Sequence, residues 1–201
     1  FYCGYLTLNN KNVYIINGFY MAMRGKYVAK DASIHAYIIE WNESALTWKD
    51  FRSKVIGSTN PANAEKDSIR NTIFHRYQEL GLTEQPDTGN NAIHASASPL
   101  EALAERCNWC SQAIQQDQFG TMLLGKGIPE ASITEWCDNI AVRLPTKSET
   151  SGHKKEMVFD IVEDLSTNEC IEKLVGVYDY ELFGDIPQRS RCSGKGCCII
   201  S

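Results

Sequence analysis

The sequence predicts an α+β chain. Two runs rich in β-branched and aromatic residues, 12–18 and 33–41, read as strands. Downstream, apolar residues recur at helical spacing in segments bounded by cap residues, glycine or proline. A length of 201 residues suggests one sizeable domain with appendages, and 43% hydrophobic residues can fill its core. The net charge of −5 argues against general affinity for nucleic acid. No signal peptide and no apolar run of about 18 residues is seen, so a folded cytoplasmic protein is expected.

The helices follow in order. Thr47 to Val55 reads as a helix capped by Thr47 and ended by Gly57. Asp67 is the expected N-cap of a second, over 67–80. Ile69, Ile73, Phe74, Tyr77 and Leu80 form its apolar face and Gly81 its stop. A short strand or loop leads into His94, and a third helix spans 99–110. Its start, Ser98-Pro99-Leu100-Glu101, has a capping-box pattern with proline at the first helical position. Leu100, Leu103, Cys107 and Cys110 form its buried stripe, and Glu105 lies roughly 140° around from Leu100, on the face of Glu101.

Two short helices are expected within 113–142, broken at Gly125-Lys126-Gly127-Ile128-Pro129. That Gly-Lys-Gly lacks the rest of a phosphate loop and reads as a helix terminator. Pro145 to Glu156 is polar and reads as a linker. Residues 157–178 read as one or two amphipathic helices, with Phe159, Ile161, Val162 and Leu165 on the apolar side. There are no internal repeats.

His94, in Asn-Asn-Ala-Ile-His-Ala-Ser-Ala-Ser (90–98), carries the chemistry. A neutral imidazole is a competent nucleophile near neutral pH and can hold a phosphoryl group. Thr59-Asn60-Pro61 and Arg70 upstream suit phosphate, and Glu105 one helix later suits the orienting carboxylate of a nucleophile pair. Taken singly, His94 is an ordinary polar residue and Glu105 a solvated one; the set as a whole favours a phosphohistidine site.

Together, Thr59-Asn60-Pro61, Ile69-Arg70, Asn91-Ala92-Ile93-His94, Ser96 and Glu105 resemble the motifs of the nucleoside diphosphate kinases in order and spacing. The likeness covers roughly residues 12–112. It implies a ferredoxin-like α+β fold, an antiparallel sheet covered by helices. Part of that sheet is expected to be missing, and extra helices are expected toward the C-terminus. Residues 36–41 look like the family's central hydrophobic strand. The resemblance also implies that His94 is the phosphorylated nucleophile, supported by Ser96 and Glu105. Thr59 and Arg70 would contact the phosphates and Asn91 the ribose. ATP or another nucleoside triphosphate would be the substrate, with Mg²⁺ held on its phosphates and no protein metal ligand. A homo-oligomer is implied as well.

Several positions depart from the pattern. The phosphate-binding arginine expected six residues before Thr59 falls on Ser53, leaving Arg52 or Lys54 to substitute. Ala97 stands where the family has Asp, and the stretch between Arg70 and His94 is longer than usual. The family's N-terminal Lys-Pro-Asp-like segment is absent, and the chain starts at Phe1, so a fragment of a longer protein is expected. The domain reading is then 1–112 kinase-like core, 113–144 helical extension, 145–186 linker and small helical segment, and 187–201 flexible tail. The expected activity is transfer of phosphate from a nucleoside triphosphate to a diphosphate. The rival is a nucleotide-binding or scaffold module that retains the histidine without turnover. A purely structural adaptor ranks last, because it leaves the ordered set without a purpose.

Cys107 and Cys110 form a Cys-x-x-Cys, late in a helix and without a second ligand pair, so they read as reduced core cysteines. The terminal Cys198-Ile199-Ile200-Ser201 fits a farnesylation motif and resembles the lipidated tails of Ras-type proteins. One lipid binds membranes weakly, and the second signal is expected from Cys197 (or Cys192) as a palmitoylation site and from Arg189, Arg191 and Lys195. Attachment to the cytoplasmic face of a membrane is therefore expected.

Overall fold

The structure, a computed structural model, describes residues 3–144 and 154–184. It is a mixed α and β chain whose described strands form two separate two-stranded antiparallel sheets. Two compact units meet in sequence at Ala95 and Ser96.

The first unit opens with a hairpin, β1 (Cys3–Leu8) and β2 (Lys11–Ile16), with Leu8 opposite Lys11. Asn9 and Asn10 form its two-residue turn, both at positive φ (52° and 60°). That suits the right-handed twist of the strands, and asparagine tolerates this conformation better than most residues. The strand expected at 12–18 is β2; its partner β1 was not foreseen. Helix α1 (Gly18–Val28) follows, its N-terminus capped by the Asn17 side chain, which accepts from the Tyr20 N–H at 3.0 Å. No residue of α1 is buried.

The strand expected at 33–41 does not form. This stretch has no regular structure, and Tyr37 and Ile38 are 82% and 69% exposed. Strand propensity expresses fit to a pleated surface with neighbours, and none of the described strands pairs with this segment. Trp41, at its end, is packed instead by side chains. Its ring stacks on Phe51 at 4.6 Å and meets Trp48 edge-on at 4.8 Å. Its indole N–H donates to the Leu46 carbonyl, and the Trp48 N–H to the Glu43 carboxylate, both at 2.8 Å. Such pairs add roughly 0.5–1.5 kcal/mol each beyond area burial. With Ile56, Pro61 and Ala64 they form the small core of this unit.

Thr47 caps helix α2 (Trp48–Asp50) as expected, its hydroxyl accepting from the Asp50 N–H at 3.0 Å. The helix then widens into a π-turn over Phe51–Ile56 and ends at Gly57 with φ +98°. Helix α3 (Ile69–Arg76) is capped by buried Ser68, not by Asp67, which lies outside it at φ +68°. Both residue types cap helices, and aspartate tolerates the left-handed turn that precedes this one. The apolar face expected on this helix has no buried residue. The chain leaves it through turns at 77–81, and Gly81 is at φ +79°.

The second unit is helical around one short hairpin. Helices α4 (Pro99–Cys110), α5 (Gln118–Gly125) and α6 (Glu130–Cys137) precede strands β3 (Ala141–Leu144) and β4 (Lys154–Met157); α7 (Val158–Val162) and α8 (Thr167–Phe183) follow. Leu100 and Leu103 of α4, Leu123, Trp136, Val142 and Leu174 are fully or almost fully buried in one core. Helix α4, joined to the first unit by the resemblance, packs here. Lys154 to Glu156, expected as linker, lie in β4 and pair with Val142 to Leu144; residues 145–153 lie outside the described ones. Asp117 caps α5 by accepting from the Phe119 and Gly120 N–H groups, and the Arg106 guanidinium pairs with it at 2.6 Å. Gly120 lies against the Ile114 carbonyl, where a Cβ would sit only 2.3 Å from the oxygen. Gly127 at φ +83° terminates the segment between α5 and α6, as expected. A full capping box, Ser166 with Glu169, starts α8.

Candidate functional site

Three segments of the first unit converge around Arg70. One is the Gly57–Pro61 turn. Gly57 is at φ +98°, and a Cβ there would lie 2.6 Å from Ser68 Oγ and 2.9 Å from Ala64 Cβ, so only glycine fits. Asn60 caps the short 3₁₀ turn Pro61–Asn63 with its side chain, and the Ser58 hydroxyl donates to the Asn60 carbonyl at 2.8 Å. Thr59 sits exposed between them.

The second segment is the start of α3. Arg70 is half-buried two residues after the N-cap Ser68, and its Nη1 donates to the Gly57 carbonyl at 2.8 Å. The third is the His94 loop. Arg70 Nη2 donates to the Ile93 carbonyl at 2.8 Å, and Asn91 Nδ2 donates to the Thr59 carbonyl at 3.2 Å. Between those two anchors Ala92 is left-handed, at φ +68°. A residue with a Cβ holds that backbone only where its surroundings over-determine it. His94 follows, with its side chain exposed to solvent.

Charge accompanies the geometry. Burial, and then the positive charge of Arg52, hold the Arg70 guanidinium below the ordinary arginine range. Arg70 Nε is buried and has no hydrogen-bond partner. Two cations near each other, one of them partly desolvated, make a place that favours an anion. Lys54, by contrast, pairs with Asp50 at 3.0 Å on the exposed side of the helix. Ser53 donates its hydroxyl to the Lys49 carbonyl. A π-turn begins beside Arg52. The Gly57 N–H bonds the carbonyl of Arg52, five residues back, so this turn holds one residue more than an α-turn.

In the second unit Ser96 donates its hydroxyl to the Glu105 carboxylate at 2.5 Å. Ser98 caps α4, accepting from the Glu101 N–H at 3.2 Å. The Glu101 carboxylate completes the turn through the Ala97 N–H, one residue further back than in a capping box.

Of the sequence-predicted residues, Thr59, Arg70 and Asn91 are tied by hydrogen bonds to one another's segments and to the His94 loop. Arg52 joins them through its charge, and Lys54 does not. What sequence reasoning missed is the carbonyl acceptors of Gly57, Thr59 and Ile93. A backbone oxygen leaves no mark in residue identity. The glycine after a helix was the available signal for the first.

Cys107 is half-buried against the core, whereas Cys110, expected on the buried stripe, is exposed at the last turn of α4. The helix ends there, Ser111 turning left-handed at φ 54°, before the stripe can be covered. Cys107, Cys110 and Cys137 carry free thiols. Burial, with help from Asp117, pushes the Cys107 thiol up against an opposing effect of Arg106. Burial, then Cys107, Asp138 and Asp117, raises Cys137 to about 12. Both are protonated and unreactive at neutral pH. Cys197, Cys198 and the basic residues of the tail lie outside the described residues. Among the described residues no helix is long and apolar enough to cross a membrane.

No family model matches the chain, and no curated protein or solved structure matches it.

Proposed function

We propose that this chain transfers phosphate from a nucleoside triphosphate to a nucleoside diphosphate through a phosphohistidine at His94. The observation that carries the reading is the pair of bonds that join distant segments. Arg70 reaches the Ile93 carbonyl and Asn91 the Thr59 carbonyl, so Thr59, Arg70, Asn91 and the His94 loop occupy one neighbourhood. The charge of Arg52 acting on Arg70 supports anion binding there.

In this reading the exposed imidazole attacks the terminal phosphorus in line. The bond to the bridging oxygen breaks, and the diphosphate leaves with the electron pair. A second diphosphate then takes the phosphoryl group back from the nitrogen. The side chains supply position and charge, which is most of what phosphoryl transfer asks of a protein. Mg²⁺ would ride on the nucleotide's phosphates and neutralise them. The fold would be ferredoxin-like, of the nucleoside diphosphate kinase kind, assembled as a homo-oligomer in the cytoplasm. The Cys198 tail, with Cys197, would carry lipid. Loss of membrane fractionation in Cys198→Ser would support that anchor and unchanged fractionation would refute it.

A second reading is an inactive nucleotide-binding or scaffold module. It is favoured by the commitment of both Arg70 Nη atoms to backbone carbonyls. Labelling with γ-labelled ATP separates the two. An active kinase gives acid-labile label that leaves on a chase of unlabelled diphosphate. His94→Ala should abolish it while the chain still folds, because the side chain is exposed and outside the buried core. Label retained in His94→Ala refutes the assignment; nucleotide binding without label in the parent chain supports the inactive module.

A further inference from the structure

We propose that Arg70 is the positioning residue of His94, fixing the backbone from which the imidazole projects. The consequence for transfer rests on the phosphohistidine reading; the effect on the loop does not.

Both ends of the guanidinium are used on main chain. Nη1 holds the Gly57 carbonyl, 13 residues before Arg70, and Nη2 the Ile93 carbonyl, 23 residues after it, each at 2.8 Å. One rigid planar fork therefore sets the distance between a helix end and the residue that precedes His94. Lysine, a single ammonium on a flexible stem, cannot span two acceptors in this fixed geometry. The anchor is itself stiff. Gly57 is packed against buried Ser68 and Ala64, and its would-be Cβ lies 3.2 Å from Arg70 Cβ, so the acceptor and the arginine stem define each other's place.

The loop needs such a brace. Ala92 is left-handed at φ +68°, a conformation an L-residue leaves unless held. The bonds on its two sides come from different segments, Asn91 to Thr59 and Ile93 from Arg70. Without the second, Ala92 can return to ordinary backbone angles and swing His94 with it. Arg70 stays there at a cost, half-buried beside the charge of Arg52 and with Nε unbonded. A residue selected only to neutralise phosphate would gain by spending its donors on phosphate rather than on backbone.

The test uses the full chain and its Arg70→Lys and Arg70→Gln variants. Arg70→Lys keeps the charge and the stem, and a thermal melt confirms that it folds. Amide ¹⁵N relaxation reports loop order at Ile93 and His94. Single-turnover labelling with ATP, at saturating and limiting concentrations, separates rate from affinity. Both variants are expected to lose order at the Ile93 and His94 amides. The saturating rate of labelling should fall on the order of 100-fold in both, as for a misplaced nucleophile, while in Arg70→Lys, which keeps the charge, ATP affinity changes by less than about threefold. Unchanged amide order in Arg70→Lys overturns the proposal. So does a defect confined to affinity, which makes Arg70 a phosphate contact. If the parent chain takes no label at all, the kinase reading fails and amide order alone decides the role of Arg70.

Discussion

Asn91 donates its side-chain amide to the carbonyl of Thr59, 32 residues earlier in the chain, at 3.2 Å. The bond closes the His94 loop onto the Thr-Asn-Pro turn. The resemblance assigns Asn91 to the ribose of a nucleotide, yet here one of its amide donors already serves the loop. Asn91→Ala should therefore act first on the protein. We expect a loss of about 0.5–1.5 kcal/mol, the worth of one hydrogen bond to backbone, together with faster amide hydrogen exchange at 91–94. Unchanged exchange across the loop would show that this bond is incidental.

Arg52 and Lys54 flank the position where an arginine is expected, and their surroundings differ. Arg52 acts on Arg70 through its charge, whereas Lys54 is engaged by Asp50 on an exposed face. Arg52→Ala should weaken binding of a nucleoside diphosphate roughly tenfold, the worth of one charge-assisted contact. Lys54→Ala should change it by less than about twofold, and stability by at most about 1 kcal/mol, because exposed ion pairs contribute little. Titration calorimetry on the two variants reads both effects. The reverse order of affinities would mean that the charge of Arg52 does not serve the anion.

Local chemistry explains what the sequence made legible. Thr47 and Ser98 cap their helices and Gly57 and Gly127 end theirs, because a cap acts over three or four residues. Non-local pairing explains what it hid. Residues 33–41 have the composition of a strand and no described partner, so propensity alone misled. Strand β4 has the opposite trouble: Lys154-Lys155-Glu156 looks like linker, and only pairing across residues 145–153 makes it a strand. At the site, order and spacing brought Thr59, Arg70, Asn91 and His94 into view together. The difference between Arg52 and Lys54 lies in their surroundings, the charge of Arg70 for one and the Asp50 carboxylate for the other, which residue identity does not encode.

Gly57 is the most demanding position around Arg70. Alanine there would adopt φ +98° and press its Cβ to 2.6 Å from Ser68 Oγ and 2.9 Å from Ala64 Cβ. Left-handed strain and overpacking together should cost about 2–4 kcal/mol. Urea unfolding followed by tryptophan fluorescence suits the measurement, since Trp41 and Trp48 lie in the core of this unit. A midpoint within error of the parent would mean that the turn relaxes without resistance. Removing the strain by restoring glycine elsewhere in the turn should not rescue it, because the clash is with Ser68 and Ala64.

Cys137 gives the second unit a dependence on alkaline pH. Its thiol is raised from an ordinary 9.0 to about 12, chiefly by burial, then by Cys107, Asp138 and Asp117. The folded state thus holds this proton more tightly than the unfolded chain does. The stabilisation is complete below pH 9 and drains away as the pH climbs toward 12, where the folded thiol would ionise. Cys107 is raised too and adds in the same direction. Tyrosines and lysines titrate in the same range, so the informative quantity is a difference: the urea midpoint of the parent minus that of Cys137→Ala, measured from pH 7 to pH 11. That difference should be flat below about pH 8 and shrink above pH 9, as the parent loses an advantage the variant never had. A difference that stays constant to pH 11 would mean that the thiol meets water in the folded state.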